Sequence, residues 1–406
     1  STVLCWRSFD LPERNTMKKI QELQQVKGDA YDYYIAGNED TDLFEKIFLV
    51  DDIVEEICKP DKYFLIGEKG SGKTAYSVYM SKSDKINSFC SISLVENTLY
   101  QRFLNMKRQK ALELSSFKDV WINLIYLILA EKIRKEYGET FFSSMKYKQL
   151  SKAIDVFYSD AFKPEFVNAF EFVDNASASI NSMMKQGLFS TGTKASAETS
   201  QKYVEQSFQI SLLKIRDGFE KAFMSVNLKK PTILFVDGID ARPRDIDNEQ
   251  YFECLVGLVN AVLEMNQSFL KEKQIKIMLL IRPDIMYKMP VHNMNQKLRN
   301  NSVLLNWVTS YRKYIDSKLF KIADDYFMKQ QDYSYELGEC WNYYFPYKVE
   351  YQEKWKAPDN PFVEFLRYSL YKPRDILTML NEMVDATSGT QFKHSDFEGI
   401  LSNYST

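Results

Sequence analysis

The run Gly67-Glu68-Lys69-Gly70-Ser71-Gly72-Lys73-Thr74 fits the spacing G-x-x-x-x-G-K-[ST] at every position. Glycines at 67, 70 and 72 allow a tight turn whose successive N–H groups face an anion. The helix opened by "TAYSVYMSK" adds the favourable end of its dipole. In such a cradle, spanning Gly67 to Ala75, Lys73 reaches the β- and γ-phosphates of a nucleotide and Thr74 sets its hydroxyl on Mg²⁺. The metal also needs a carboxylate from the end of a neighbouring strand. "PTILFVDGIDARP" supplies one in Asp237, after an apolar run.

Hydrolysis needs a group that polarises water, and the position after Asp237, where many such hydrolases carry Glu, holds Gly238. The nearest acids are Asp240 and Asp245. Asp240 has two readings: it orients water beside the γ-phosphate, or it caps the segment that follows. "LLIRPDI" ends a strand in Arg282, placed where open α/β sheets bind ligands, so Arg282 is either a γ-phosphate sensor or a surface arginine. In "YKPRDILTML", Pro373 packs against the base and Arg374 reaches the nucleotide, or the pair simply begins a helix with Pro at N1.

These side chains require a framework. Short apolar runs at 63–67, 88–95, 232–237, 275–281 and 302–306 read as strands separated by helical patterns, which predicts a parallel sheet covered on both faces. Residues 42–58 read as one helix leading into the first strand. The stretch from about 98 to 230 is a long, mostly helical insertion, with a Ser/Ala/Thr-rich loop or hairpin at 175–202. Three divisions follow: an arm over 1–40 with one short amphipathic helix and an acidic turn, a core over 41–310, and a smaller helical domain over 311–406.

The chain has 406 residues, enough for two or three ordinary domains, and its 45% hydrophobic content is that of a folded protein. A net charge of −2 argues against a surface built throughout to bind phosphate backbones. Basic runs at 105–110 and 270–276 either touch nucleic acid or are solvated helix faces. Five scattered cysteines without C-x-x-C pairing point to neither a disulfide framework nor a zinc site, and a reducing cytoplasm is expected. Val120–Ala130 is too short for a membrane span and reads as a buried helix, so no membrane partner is expected. His292 and His394, the two histidines, have no paired neighbour in sequence.

In order, "GEKGSGKT", "ILFVDGID", "LLIRPD" and "KPRDI" resemble a P-loop ATPase of the AAA+/STAND grouping, with its NACHT-like and KAP-like members. More narrowly, the chain resembles bacterial P-loop ATPases of antiphage-defence and stress-response gene clusters, over about residues 40 to 405. The resemblance implies an α/β fold with a five-stranded, mostly parallel sheet of order 5-1-4-3-2 and a C-terminal helical or winged-helix lid. It implies that Thr74 and Asp237 bind Mg²⁺ and that Asp240 takes the place of the second acid. Arg282 becomes sensor 1, and Arg374, with Pro373, resembles sensor 2. The implied protein is a homo-oligomeric, ATP-dependent switch acting on a protein effector. Arg242, Arg244 and Arg299 read as following sheet-edge strands and are the candidates for an arginine that crosses to a neighbouring subunit. Two alternatives stand beside it, a non-hydrolysing nucleotide-binding scaffold and a nucleic-acid-associated motor or loader.

Overall fold

The computed structural model describes residues 17–35, 42–95, 117–142, 147–160, 212–240, 248–289, 298–349 and 359–404. The acidic turn after residue 35, the basic run at 105–110, the 175–202 stretch, Arg242, Arg244, Asp245 and His292 lie outside these residues. By its contacts the chain divides into two compact units. One comprises Asp51–Lys69 and Lys73–Leu305; the other comprises Ser1–Val50, Gly70–Gly72 and Asn306–Thr406.

The first unit is α/β. Strands β1 (Phe64–Ile66), β2 (Phe89–Leu94), β3 (Thr232–Asp237), β4 (Ile275–Ile281) and β5 (Ser302–Leu304) form one sheet. Every pairing is parallel, in the order β2-β3-β4-β1-β5, which is 5-1-4-3-2 read from the β5 edge. Every residue of β3 and β4 is buried, as continuous apolar strands require when both faces are covered. The Asn248–Asn266 helix packs on β4 and on the helix Phe117–Phe142, while Lys73–Lys82 lies against β2. Val120–Ala130 is wholly buried within Phe117–Phe142, where Trp121 Nε1 donates to Cys254 O at 3.1 Å. Most of the described part of the insertion is helical, at Phe117–Phe142, Lys148–Asp160 and 212–225.

Two expectations are corrected here. Residues 42–58 form two helices, Asp42–Ile47 and Asp52–Cys58, because Asp51 adopts an extended backbone and its side chain accepts from Ile53 N as an N-cap. The basic run 270–276 is not a helix face: it is a turn that leads into β4. Its Lys276 is buried in β4 and donates to the carbonyls of Ile57 and of Lys59 (2.8 Å), at the end of Asp52–Cys58.

The second unit is helical, with Lys318–Met328, Glu339–Tyr344, Phe362–Ser369, Pro373–Ala386 and His394–Tyr404 around an aromatic core. Trp341 stacks on Phe345 at 4.1 Å between ring centroids and meets Phe320, Phe362 and Phe365 edge-on. Its only described β pairing is the single antiparallel bridge Val349–Asp359. Residues 18–26 belong to this unit because side-chain amides hold their backbone: Lys18 N donates to Gln331 Oε1, Gln24 N to Gln330 Oε1 and Val26 N to Asn381 Oδ1. His394 does have partners, contrary to the sequence reading, since the fold brings Glu364 within 3.2 Å of Nε2 and Glu398 within 3.8 Å of Nδ1. The described cysteines, Cys58, Cys90, Cys254 and Cys340, are free. Among the described residues no helix is long and apolar enough to cross a membrane.

Candidate functional site

At the carboxyl end of β1 the chain enters the glycine-rich loop, and Gly67 N donates to Ile281 O at 3.2 Å, fixing the loop's start beside the end of β4. Gly70 and Gly72 carry φ of +84° and +90°, a backbone that glycine adopts without a Cβ penalty. The helix Lys73–Lys82 begins at once. Lys73 is buried, and its ammonium donates to the loop's own carbonyls, Gly67 O at 2.8 Å and Glu68 O at 3.2 Å. Glu68 and Lys69 are exposed, Gly67 is buried, and Thr74 and Ala75 are half-buried. Ser71 is 2% exposed and its Oγ has no hydrogen-bond partner in the structure, a polar atom that a bound oxygen-rich group would satisfy.

Thr74 and Asp237 come together although the sheet separates their strands. Thr74 Oγ1 donates to Asp237 Oδ2 at 2.6 Å, and Gly238 N donates to the other carboxylate oxygen at 2.7 Å. Gly238 is fixed by geometry: φ is +84°, and a Cβ there would lie 2.8 Å from Val95 O and 3.1 Å from Leu94 Cδ1. Glutamate cannot occupy this position without moving Val95, just past β2, or the turn itself. The turn instead delivers Asp240, whose Oδ2 stands 3.7 Å from Lys73 Nζ while Oδ1 is buried without a hydrogen-bond partner. Burial pushes the Asp240 carboxyl up to about 6; Lys73 opposes that shift, Asp237 adds to it, and Arg282 opposes it through its charge and its backbone N–H.

Sequence reasoning missed the residue that holds this turn. Tyr251, buried in the first turns of the Asn248–Asn266 helix, donates its hydroxyl to Ile239 O at 2.6 Å. Burial raises its pKa, with Asp240 adding to the shift. Its one sequence signal is an aromatic at the start of the helix that follows the Asp-Gly-Ile-Asp run.

Arg282 follows β4 directly and stands at the N-cap of Pro283–Lys288, with Pro283 at the first helical position. Its guanidinium makes a two-bond pair with Asp284, Nε to Oδ1 at 2.9 Å and Nη2 to Oδ2 at 2.7 Å. Lys73, Thr74, Asp237, Asp240 and Arg282 therefore share the carboxyl ends of β1, β3 and β4. Arg299 is exposed in the helical turn 298–300.

Within the helical unit, Pro373 is buried at the start of Pro373–Ala386, where it is a helix-initiating proline. Arg374 N donates to Gly70 O at 3.3 Å, and Trp307 Nε1, a contact not foreseen from sequence, donates to Ser71 O at 2.9 Å. The turn before Pro373 is strained, with Leu370 and Tyr371 at φ of +49° and +60°.

A positive-φ glycine loop at a helix start, a buried lysine and a hydroxyl–carboxylate pair suit an anionic oxygen group accompanied by a hard cation. Among the described residues there is no group of three or more His, Cys, Asp or Glu that could hold a metal ion; Thr74 and Asp237 are the pair that would face such a cation. The fold and site define an α/β protein with a glycine-loop site at the carboxyl ends of parallel strands. No protein-family model, curated protein or solved structure matches the chain.

Proposed function

We propose that this chain binds ATP with Mg²⁺ at Gly67–Ala75 and hydrolyses it slowly, as a P-loop ATPase used as a switch. The observation that carries the reading is Asp240, brought 3.7 Å from Lys73 with one buried oxygen unpartnered. A carboxyl raised to about 6 is ionised at neutral pH yet basic enough to accept a proton from water. Lys73 leaves the loop carbonyls for the phosphates, and the loop N–H groups and Ser71 Oγ take phosphate oxygens. Thr74 and Asp237 hold Mg²⁺, which when bound supplies charge neutralisation on those oxygens. Arg282 distinguishes a triphosphate from a diphosphate, the difference that biases a two-state element. The resemblance extends this to a homo-oligomer that acts on a protein effector in the bacterial cytoplasm, in antiviral defence.

The test is nucleotide binding and phosphate release by the full chain with Mg²⁺-ATP. Lys73→Ala is expected to lose binding, and Asp240→Asn to keep binding while losing release. Undiminished binding by Lys73→Ala would overturn the reading. Binding without release by the wild-type chain would replace it with the non-hydrolysing scaffold.

A further inference from the structure

Arg282 places a cation at the carboxyl end of β4 beside the glycine loop, and its side chain is already engaged. Ile281 pairs in register with Ile66, the last residue of β1, so Arg282 begins opposite Gly67. Its charge is felt by Asp240, yet both of its hydrogen bonds go to Asp284, two residues on, in a planar two-bond clasp. Asp284 is the more exposed partner, at 46% against 27% for Arg282, so the clasp opens toward solvent without disturbing the sheet.

We propose that Asp284 is a positioning residue that competes with the terminal phosphoryl group for the Arg282 guanidinium, and so sets how strongly the site prefers a nucleoside triphosphate over a diphosphate. The inference rests on the nucleotide-binding reading above. A guanidinium presents one planar fork to a carboxylate or to phosphate oxygens, and the same donors cannot serve both. A triphosphate must therefore displace Asp284 before Arg282 reports its third phosphate. A diphosphate, lacking that group, leaves the clasp closed. Asp284 also suits the first turn of a helix, which favours acidic side chains whatever Arg282 does. A role confined to the helix would be indifferent to the identity of residue 282, and this separates the two.

The experiment measures dissociation constants of the full chain for a non-hydrolysable ATP analogue and for ADP, with Mg²⁺. It compares wild type, Asp284→Asn, Arg282→Ala and the double variant. Asp284→Asn keeps the size and removes the charge. It is expected to tighten the triphosphate analogue about two- to fivefold, the reach of a partly exposed ion pair, with ADP unchanged. Arg282→Ala should erase the preference, and Asp284→Asn should add nothing in that background. An unchanged triphosphate-to-diphosphate ratio in Asp284→Asn, or a tightening that persists without Arg282, overturns the proposal while leaving nucleotide binding intact. Failure of the wild-type chain to bind either nucleotide overturns the proposal together with the reading beneath it.

Discussion

The Asp240 carboxylate lies 3.7 Å from the Lys73 ammonium because Gly238, at φ +84°, turns the chain back after β3. Lys73 attracts the ionised form, but burial weighs more, and the carboxyl rises to about 6 from an ordinary value of 3.8. If Asp240 takes the water proton, it must be ionised to act. Phosphate release under kcat/KM conditions should then fall as pH drops through about 6, and Asp240→Asn should lower it on the order of 100-fold or more. A pH–rate profile checks this; an acid limb that survives in Asp240→Asn assigns it to another group.

The same shift has a stability consequence of opposite sense. Between 3.8 and about 6 the folded chain holds a proton that the unfolded chain has released, so stability falls as pH rises through that window and stays lowered above it. Asp240→Asn should therefore raise the Tm at pH 8 relative to wild type, with the gain shrinking toward pH 4. Each 1 kcal/mol corresponds to about 2–4 °C in a domain of 150–250 residues. Paired thermal melts at the two pH values measure the difference.

At Gly238 any side chain meets Val95 O at 2.8 Å in addition to an unfavourable φ. Gly238→Ala should cost on the order of 1–3 kcal/mol in urea unfolding. Gly238→Glu should cost more and should not raise phosphate release, since a carboxylate there comes with a displaced Val95 or turn.

Tyr251→Phe removes one hydrogen bond, the 2.6 Å contact to Ile239 O, and leaves the ring packed. The expected effect is a lower kcat with little change in KM, because the turn that aims Asp240 loosens while the glycine loop is untouched. A loss of about 1 kcal/mol in stability alone, with kcat preserved, would confine the hydroxyl's role to holding the fold.

The loop and the strands were legible because both rest on local rules: glycine spacing before a helix, and apolar runs that must be buried on both faces. Asp240 was legible only as a choice between two roles. Its distance from Lys73 depends on the turn at Gly238, whose φ of +84° and close approach to Val95, just past the end of β2, no local pattern encodes. Tyr251 was hidden for the same reason, as its partner is a backbone carbonyl and carries no side-chain signature. The break at Asp51 was missed because helical spacing runs on through both halves of 42–58, while the cap acts at a single residue.

Lys276 tests how far a basic residue can be read from composition. In sequence it closes a lysine-rich run; in the fold it is buried, paired in β4 with Ile233, and donates to Ile57 O and Lys59 O. Burial lowers its pKa to about 8 from 10.5, with weaker opposing influences from Cys58, Cys90 and Asp61. Between about 8 and 10.5 the unfolded chain holds a proton that the folded chain has released, so Lys276 contributes stability that grows as pH rises through that window. Lys276→Met, of similar length but unable to bond either carbonyl, should therefore compare best with wild type near pH 7 and progressively worse toward pH 10. Urea midpoints of the two proteins across that range read the trend directly, since the other lysines titrate equally in both. A flat difference would mean that the ammonium keeps its proton in the folded state throughout, held by the two carbonyls more strongly than burial opposes it.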